Sequence, residues 1–397
     1  MKVLIVTHVV NKTEGQGRVN YEVVRAALAA GHDVTVLASV VDKALASHPR
    51  LSVVLIAASR LPTALIKYQI FAWRAAAWIR ANRHAFDVVQ VNGFIAWTTA
   101  DVNAVHFVHD GWYRSGYYPF RMTGGAHDSY QVLFTRINAW CEKWSFRRSR
   151  MLVAVSEKVG AELVAAGLPA QRISVIHNGV DDVEFSPDAS KLPHRARFNL
   201  PETGFLLLFA GDLRISRKNL DTTFSALARC GTDVQLVVAG DLTNSPYPAL
   251  ADKLGITSRV HFLGQVQDMP GLMRGMDLFV FPSRYEPFGL VLLEALASGL
   301  PVITARTAGA AEVIGPDCGI VVEDPDDADA LAAAIMQIAS VQARAKEMGE
   351  AGRRLSMTMS WQAMAGRYLE LFDNVAARRE PKNRLASVDR MSESNRI

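Results

Sequence analysis

Short apolar runs alternate along this chain with longer stretches in which apolar residues recur every three or four positions. The short runs are mostly continuous rather than alternating, which is typical of parallel strands covered by helices on both faces. Because strands and helices follow one another throughout, we predict an α/β protein with two doubly wound sheets. The predicted strands comprise residues 3–7, 34–38, 53–56, 88–91 and 151–155 in the first half and residues 205–210, 234–239, 260–262, 278–281 and 302–304 in the second.

The two halves are separated by a segment that has neither the apolar runs typical of strands nor the apolar periodicity typical of helices. Asn178-Gly179 is a turn signal, and residues 186–204 contain three prolines without a regular apolar pattern. Helical periodicity returns at residues 326–348 and 361–375. The predicted division is a first domain of residues 1–182, a linker of residues 183–203, a second domain of residues 204–359, a last helix of residues 360–376, and a polar, basic tail of residues 377–397 that we expect to be disordered.

Glu286 and Glu294 flank the most informative turn of the chain. An apolar strand ends at Phe281, a proline-containing loop follows, and a helix is predicted to begin near Phe288. The first turn of such a helix exposes unpaired amides and the positive end of the helix dipole, which together attract anions. Glu286 precedes that turn and Glu294 follows two turns inside the helix, so one carboxylate can contact sugar hydroxyls and the other a ribose. Two solvated surface glutamates are the alternative interpretation.

The sequence from Glu286 to Glu294 resembles the Glu-x7-Glu signature of the retaining glycosyltransferases of family 4, which have the GT-B fold. The resemblance implies two Rossmann-like domains that face each other across a cleft, with a C-terminal helix that crosses back to the first domain. The first domain would then bind the acceptor and the second the donor. By position, Glu286 would contact the donor sugar, Glu294 the ribose, and the amides of Phe288, Gly289 and Leu290 the sugar and the diphosphate.

The resemblance extends over nearly the whole chain. Residues 175–181 are similar to the interdomain segment of the family, and residues 210–219 to its phosphate loop. Residues 300–303 and 309–312 are similar to the strand and the glycine-rich turn behind the donor. Residues 360–361 are similar to the start of the returning helix.

The phosphate loop departs from the family pattern at one position. The family often has an arginine directly after the glycine that corresponds to Gly211, but this chain has Asp212. Lys218 occupies the second cationic position, and a departing diphosphate needs such cations to accept its negative charge. Arg214 and Arg217 compete for the vacant arginine role, and we favour Arg217. A solvated basic loop is the alternative interpretation.

Residues 11–18 form a glycine-containing segment between the first predicted strand and a helix. Glycines allow the backbone to approach a phosphate closely, and the resemblance places Gly17 nearest the donor phosphate. A nicotinamide fingerprint is not supported, because Asn20 occupies the third glycine position and Ala38-Ser39 stand where an acidic residue would end the second strand.

His106 and His109 are predicted to lie on one strand, three residues apart and therefore on opposite faces, so they cannot share a metal ion. The resemblance implies that His109 lies at the end of this strand near the transferred sugar, whereas a structural role is favoured for His106. No Asp-x-Asp pair follows a strand, and the acids of residues 323–327 are predicted to cap a helix. We therefore expect that the protein requires neither a metal ion nor another cofactor.

Basic residues are concentrated in the first half of the chain. Residues 1–180 contain 20 lysines and arginines against 11 acidic residues, a net charge of +9, within a chain of net charge +4. Residues 67–83 and 136–150 interleave these cations with Trp73, Trp78 and Trp140, a pattern that favours an anionic membrane surface. Aromatic side chains that pack in the core are the alternative. No nucleic-acid recognition motif is present, so we expect no nucleic-acid partner.

No run reaches the roughly 18 apolar residues that a transmembrane helix needs. The apolar run at the N-terminus is too short for the core of a signal peptide. We therefore expect a cytoplasmic protein that binds peripherally to the inner face of the cytoplasmic membrane.

The resemblance implies a metal-independent, retaining hexosyltransferase. Its donor would be a UDP- or GDP-sugar, and its acceptor a glycan or glycolipid precursor of a cell envelope, such as a lipopolysaccharide or exopolysaccharide. A sugar-nucleotide epimerase of the same fold and a non-catalytic sugar-nucleotide-binding protein are the alternatives. Asp212 is the feature that most favours the second of these. The four residues that match the family argue against it, namely His109, Lys218, Glu286 and Glu294.

Overall fold

The computed structural model describes residues 1–13, 15–57, 63–214 and 216–378. The first half contains nine strands and six α-helices within these residues. The strands are β1 (Lys2–Val6), β2 (Val9–Val10), β3 (Asp33–Ala38), β4 (Val40–Val41), β5 (Leu51–Leu55), β6 (Val88–Asn92), β7 (Ala100–Val105), β8 (Ser149–Ala154) and β9 (Ile173–Val175). The helices are α1 (Gly15–Ala29), α2 (Lys43–Ala46), α3 (Ala64–Asn82), α4 (His109–Arg114), α5 (Ala126–Arg148) and α6 (Glu157–Ala165).

Seven of these strands form one parallel sheet in the order β5-β3-β1-β6-β7-β8-β9, while β2 and β4 pair separately. The residues of β1 alternate between the two faces of this sheet. Val3 and Ile5 pack in the cluster that includes α1, whereas Leu4 and Val6 pack against α3. Because both faces are covered, the strand is continuously apolar, as the sequence pattern indicated.

The second half forms a second parallel sheet. Its strands are β10 (Phe205–Ala210), β11 (Val234–Ala239), β12 (Val260–Gly264), β13 (Leu278–Phe281), β14 (Val302–Ala305) and β15 (Gly319–Val322), in the order β12-β11-β10-β13-β14-β15. The described helices of this half are α7 (Leu192–Arg197), α8 (Leu220–Leu227), α9 (Tyr247–Lys253), α10 (Met269–Arg274), α11 (Leu290–Ala297), α12 (Ala328–Ala339), α13 (Gln342–Thr358) and α14 (Trp361–Ala377).

Strand order reverses once in each sheet, between β1 and β6 and between β10 and β13. The connections that follow two such neighbouring strands leave on opposite faces of the sheet and open a crevice at its carboxyl edge. In the second sheet this crevice lies between the loop after Ala210 and the loop after Phe281. These loops are the two segments in which the sequence predicted cations and carboxylates.

Helix α14 returns from the second domain to the first. Its apolar residues Tyr368 and Phe372 are buried in the same cluster as Val3 and Ile5 of β1. The returning chain passes directly beside the end of the first domain. A Cβ on Gly179 would lie only 2.5 Å from the Trp361 nitrogen. The predicted fold class is therefore confirmed: two doubly wound Rossmann-like domains and a C-terminal helix that crosses back.

Three predicted details differ from the structure. The helix predicted for residues 326–348 is two helices, because α12 ends at Ala339, Ser340 is its C-cap residue, and Val341 is extended. The helix predicted near Phe288 begins at Leu290, so Glu294 lies one turn rather than two inside it. His106 and His109 do not lie on a strand, because β7 ends at Val105.

The limits of the predicted domains stay predictions. Most of the predicted tail, from residue 379 onward, lies outside the described residues, while Ala377 is the last residue of α14. Among the helices that the structure describes, none is long and apolar enough to cross a membrane.

Candidate functional site

The two loops at the carboxyl edge of the second sheet meet through an ion cluster. Lys218 Nζ lies 2.5 Å from Glu286 Oε2, and Arg217 Nη1 lies 3.7 Å from the same oxygen. The three side chains are 13 to 17% exposed. The backbones also meet, because the Arg284 amide donates to the Arg217 carbonyl at 2.8 Å. The structure thus brings together three of the residues that the sequence predicted for the reaction.

In this cluster, burial and the attraction between opposite charges shift the pKa values of the side chains in opposite directions. Burial alone would raise the pKa of Glu286, but the positive charges of Lys218, Arg217 and Lys158 outweigh it and hold the pKa below its ordinary value. Burial lowers the pKa of Lys218, and Glu286 counteracts that effect. The carboxylate is therefore ionised at neutral pH, and a diphosphate could compete with it for both cations.

The loop that carries Glu286 is fixed by backbone hydrogen bonds. The Glu286 amide donates to Thr307 O at 3.2 Å, and the Gly309 amide donates to Glu286 O at 2.9 Å. Any side chain at position 309 would collide with Pro287, whose carbonyl oxygen would lie 2.0 Å from the added Cβ. Glycine is therefore required at position 309 for the two segments to approach so closely.

The loop ends at the N-terminus of α11, which points its first amides toward the crevice. Gly289 is the N-cap residue and has a φ of 100°, a left-handed conformation that favours glycine. Phe288 is buried, and its carbonyl accepts from the Ala310 amide at 2.7 Å. The Leu292 amide donates to the Gly289 carbonyl at 3.0 Å. The amides of the preceding residues at this helix N-terminus are of the kind that binds an anion, and the contact of Phe288, Gly289 and Leu290 with a donor stays a prediction.

A cavity of about 870 Å³ lies next to this helix, between the two domains. The second domain contributes Gly211, Arg214 and Glu294 to its wall, and the first domain contributes Gly15 and Arg18. The residues from the second domain follow different strands, so they converge because the carboxyl ends of parallel strands share one edge. This cavity is the candidate site for a nucleotide, because it adjoins the ion cluster and the N-terminus of α11.

Glu294 carries the strongest electrostatic perturbation in the cavity. Burial, and then the negative charge of Glu184, raise its pKa to about 7, while Arg18 acts in the opposite direction. Arg18 is engaged elsewhere, because it pairs with Glu22 at 2.8 Å and with Asp181 at 3.0 Å. Glu294 therefore exchanges its proton near neutral pH and can either donate to or accept from a ribose hydroxyl.

His109 lies on the first-domain side of the crevice, at the start of α4. Glu142 of α5 accepts from its amide at 2.9 Å and from Nδ1 at 2.7 Å. Because a carboxylate only accepts, Nδ1 carries the hydrogen and Nε2 is left for another partner. The ring also contacts Phe107, which in turn lies 5.5 Å from the Arg217 guanidinium. His109 is thus connected across the crevice to the ion cluster.

His106 has a different environment. Burial lowers its pKa to about 4, and Nε2 lies 3.2 Å from Asn92 Oδ1. This uncharged, hydrogen-bonded imidazole is consistent with the structural role that the sequence favoured.

The two arginines that compete for the phosphate role are placed differently. Arg214 forms a two-pronged ion pair with Asp212 and is 61% exposed on the cavity rim. Arg217 instead donates to Tyr285 O at 2.8 Å and lies beside Glu286. Asp212 is therefore neutralised within its own loop, and Arg217 is the arginine that adjoins Lys218.

Three residues of the site were not predicted as such. Gly17 lies buried in the first turn of α1 and does not line the cavity, whereas Gly15 does, and a Cβ on Gly15 would lie 3.2 Å from Leu290 Cδ1. Glu142, which orients His109, stands in an ordinary helical pattern that contains no signal for this contact. Arg18 follows the glycines directly, and that adjacency was the available clue.

The basic aromatic segments divide their aromatic residues between the core and the surface. Phe71 and Phe146 are buried, while Trp73 and Trp140 are 66% and 62% exposed. Core packing therefore accounts for one aromatic residue in each segment, and an exposed tryptophan remains in each. Membrane contact stays a prediction.

Two family models match the chain. The model described as Glycosyltransferase Family 4 matches residues 13–184, and the model described as Glycosyl transferases group 1 matches residues 190–355. Glycogen synthase of Mycobacterium tuberculosis is 32% identical over 260 residues, which cover 62% of this chain and 60% of that protein. Lipopolysaccharide glucosyltransferase WaaG of Escherichia coli is 36% identical over 137 residues, which cover 33% of this chain and 36% of WaaG. The chain thus matches 60% or less of the length of these relatives.

Solved structures show the same architecture over nearly the whole chain. A crystal structure of WaaG has a TM-score of 0.72 and 20% identity, and the match covers 93% of this chain and 99% of that one. Anabaena HepE, solved in complex with UDP and glucose, has a TM-score of 0.72 and 19% identity and covers 94% and 99%. At these identities the likeness shows the fold, and it confirms the GT-B architecture.

We predict that Glu294→Gln changes stability in a pH-dependent way. The folded state raises the pKa of this group from 4.5 to about 7, so it binds more protons than the unfolded chain between those values. The wild type therefore loses stability as the pH rises through this window, and glutamine does not. Compared with the wild type, the variant should have a free energy of unfolding that is higher by on the order of 2 kcal/mol at pH 8 and equal at pH 4.5.

Thermal unfolding of both proteins across this pH range measures the effect. The matched control is Glu350→Gln, which replaces an exposed carboxylate on α13. A difference between Glu294→Gln and wild type that stays constant from pH 4.5 to pH 8 would contradict the assignment.

Proposed function

Since the chain is a GT-B glycosyltransferase of the family 4 type, we propose that it transfers a sugar from a UDP- or GDP-linked donor to a glycan or glycolipid acceptor with retention of configuration. The ion cluster of Glu286, Lys218 and Arg217 beside the N-terminus of α11 carries this proposal. It combines a carboxylate for the sugar, two cations for the diphosphate and helix amides for its oxygens. A non-catalytic nucleotide-binding protein has no need for a carboxylate that contacts the sugar.

In this mechanism the donor releases the cluster from its resting pairing. The diphosphate draws Lys218 and Arg217 toward itself, which frees the Glu286 carboxylate to accept hydrogen bonds from the sugar. The bond between the anomeric carbon and the phosphate oxygen breaks while the acceptor oxygen forms a bond to the same carbon from the same face. The acceptor proton passes to the departing phosphate oxygen. Lys218, Arg217 and the α11 amides stabilise the charge that develops there, and His109 helps to hold the sugar.

Support for the donor and the acceptor comes from relatives. HepE was solved with UDP and glucose, which favours a UDP-hexose as the first donor to test. WaaG acts in lipopolysaccharide synthesis by its name, which favours a cell-envelope acceptor. The exposed Trp73 and Trp140 support a location on the inner face of the cytoplasmic membrane.

Two alternatives differ in what they release. An epimerase of the same fold would convert a sugar nucleotide without an acceptor, and a binding protein would release no product. The Asp212–Arg214 pair weakens the second alternative, because it neutralises the one acidic departure in the phosphate loop. Nucleotide release from UDP-glucose, UDP-galactose, UDP-N-acetylglucosamine and GDP-mannose, with and without glycan acceptors, separates the three.

We predict that Lys218→Ala lowers kcat by roughly 10²-fold or more, the scale for loss of one preorganised stabiliser of a developing charge. Arg217→Ala should have a comparable effect, whereas Arg214→Ala should be milder because its guanidinium is held by Asp212. The assay is nucleotide release with the best donor of the panel. Lys346→Ala, which removes an exposed lysine of α13, is the matched control. Wild-type kinetics of a folded Lys218→Ala protein would exclude the assigned role.

We predict that chelation leaves transfer intact. Lysine, arginine and helix amides are placed to bind the diphosphate, and the described residues contain no group of three or more His, Cys, Asp or Glu arranged to hold a metal ion. Activity is compared before and after dialysis against EDTA, with and without added Mg²⁺ or Mn²⁺. Loss of transfer in EDTA that either ion restores would show that a metal is required.

We predict salt-reversible binding to anionic membranes. Residues 67–83 and 136–150 present cations beside exposed tryptophans, and each cation near an anionic surface contributes about 1 kcal/mol that salt screens. Flotation with anionic and with neutral liposomes, at low and at high salt, measures this. The double variant Trp73→Ala/Trp140→Ala should float less. No flotation with anionic liposomes at low salt would leave the basic face without a membrane role.

A further inference from the structure

Tyr285 connects the second domain to the first directly beside the ion cluster. It precedes Glu286 and is 1% exposed. Its hydroxyl lies 2.8 Å from Glu162 Oε2 on α6 and 3.1 Å from the Val108 carbonyl oxygen, both in the first domain. The residue before the sugar-contacting carboxylate is therefore held from across the crevice.

The Tyr285 hydroxyl has two acceptors within hydrogen-bond distance. A tyrosine hydroxyl has one hydrogen, and the Val108 carbonyl can only accept. The hydroxyl therefore shares one hydrogen between two acceptors, and the shorter of the two contacts is the one to Glu162. Burial raises the pKa of Glu162, while the positive charge of Lys158 and the hydrogen bond from Tyr285 counteract that effect.

The packing around this contact leaves little space for another arrangement. A Cβ on Gly111 would lie 2.5 Å from Glu162 Oε2, so α4 approaches the carboxyl group as closely as glycine permits. The Lys158 ammonium lies 3.7 Å from the centre of the Tyr285 ring and 3.5 Å from Glu162. The same ammonium donates to the Glu286 carbonyl at 3.4 Å.

The hydrogen bonds thus form one path between the domains. Glu162 and Lys158 of α6 hold Tyr285 and the Glu286 carbonyl from the first domain. Arg217 holds the Tyr285 carbonyl from the second domain. A shift of Tyr285 would move the backbone of Glu286, and small displacements of a reacting group are costly for rate.

We propose that Glu162 is a positioning residue for the transfer reaction, which acts through the Tyr285 hydroxyl to place Glu286 against the donor sugar when the two domains are engaged. The inference rests on the proposed function, because it assigns Glu286 to the sugar. Nucleotide binding depends on the cavity lined by Glu294 rather than on this contact, so the two can be separated.

The test compares four variants by steady-state nucleotide release and by UDP binding in calorimetry. Tyr285→Phe and Glu162→Leu should each lower kcat by about 10-fold or more while the Kd for UDP stays unchanged. Their combination should be no worse than either alone, because both remove the same contact. Glu162→Gln should keep most of the activity, because its amide oxygen can accept from the tyrosine hydroxyl as Glu162 Oε2 does.

Tyr368→Phe is the matched control, because Tyr368 is also 1% exposed and its hydroxyl has no hydrogen-bond partner among the described residues. It should turn over like the wild type. Tyr285→Phe at the wild-type rate, or Glu162→Gln as impaired as Glu162→Leu, would overturn the inference while the wild type and Lys218→Ala still test the proposed function. A wild type that releases nucleotide from none of UDP-glucose, UDP-galactose, UDP-N-acetylglucosamine and GDP-mannose would overturn both.

Discussion

The arrangement of this crevice depends on one buried carboxylate and its two cations. Glu286, Lys218 and Arg217 are each largely removed from water, and any one of them left unpaired would carry a desolvation cost of several kcal/mol. The loops after β10 and β13 must therefore close on each other. The reversal of strand order between those strands is what makes them neighbours.

Other local features support that closure. Asn219 adopts a left-handed conformation with a φ of 67° directly after Lys218, and its side-chain amide donates to Pro282 O at 2.9 Å. Gly289 turns the chain into α11, and Gly309 lets a third loop lie against Pro287. Each of these residues fixes the backbone of a charged neighbour. The cluster is thus preorganised, which is how a site stabilises charge without reorganising during a reaction.

The local apolar pattern of the sequence was sufficient to predict most strands of the two sheets. Residues 205–210, 234–239 and 278–281 were predicted with the bounds that β10, β11 and β13 have, because strands covered on both faces are continuously apolar. Strand β7 was not delimited, since Asp101 and Asn103 interrupt its apolar pattern although both are buried. These polar residues are tolerated because Asp101 accepts from the Val89 amide and Asn103 donates to Ser145 and Ser149. Hydrogen bonds between residues so far apart in the chain cannot be detected in a short stretch of sequence.

The site, like the sheets, could be predicted from local sequence only in part. The cations and carboxylates of the second domain were recognised because each stands within a short, family-like segment. Their assembly into one cluster depends on Lys218 and Glu286, which are 68 positions apart. The contact of Tyr285 with Glu162 joins residues 123 positions apart in different domains. Contacts of this kind follow from the fold and cannot be inferred from spacing.

A crystal structure with UDP tests the central claim most directly. We expect the diphosphate to lie within hydrogen-bond distance of Lys218 Nζ and the first amides of α11, with the ribose at Glu294 and the Glu286 carboxylate released from Lys218. A diphosphate bound elsewhere, for example at the exposed Arg214, with the pair between Lys218 and Glu286 unchanged, would contradict the account.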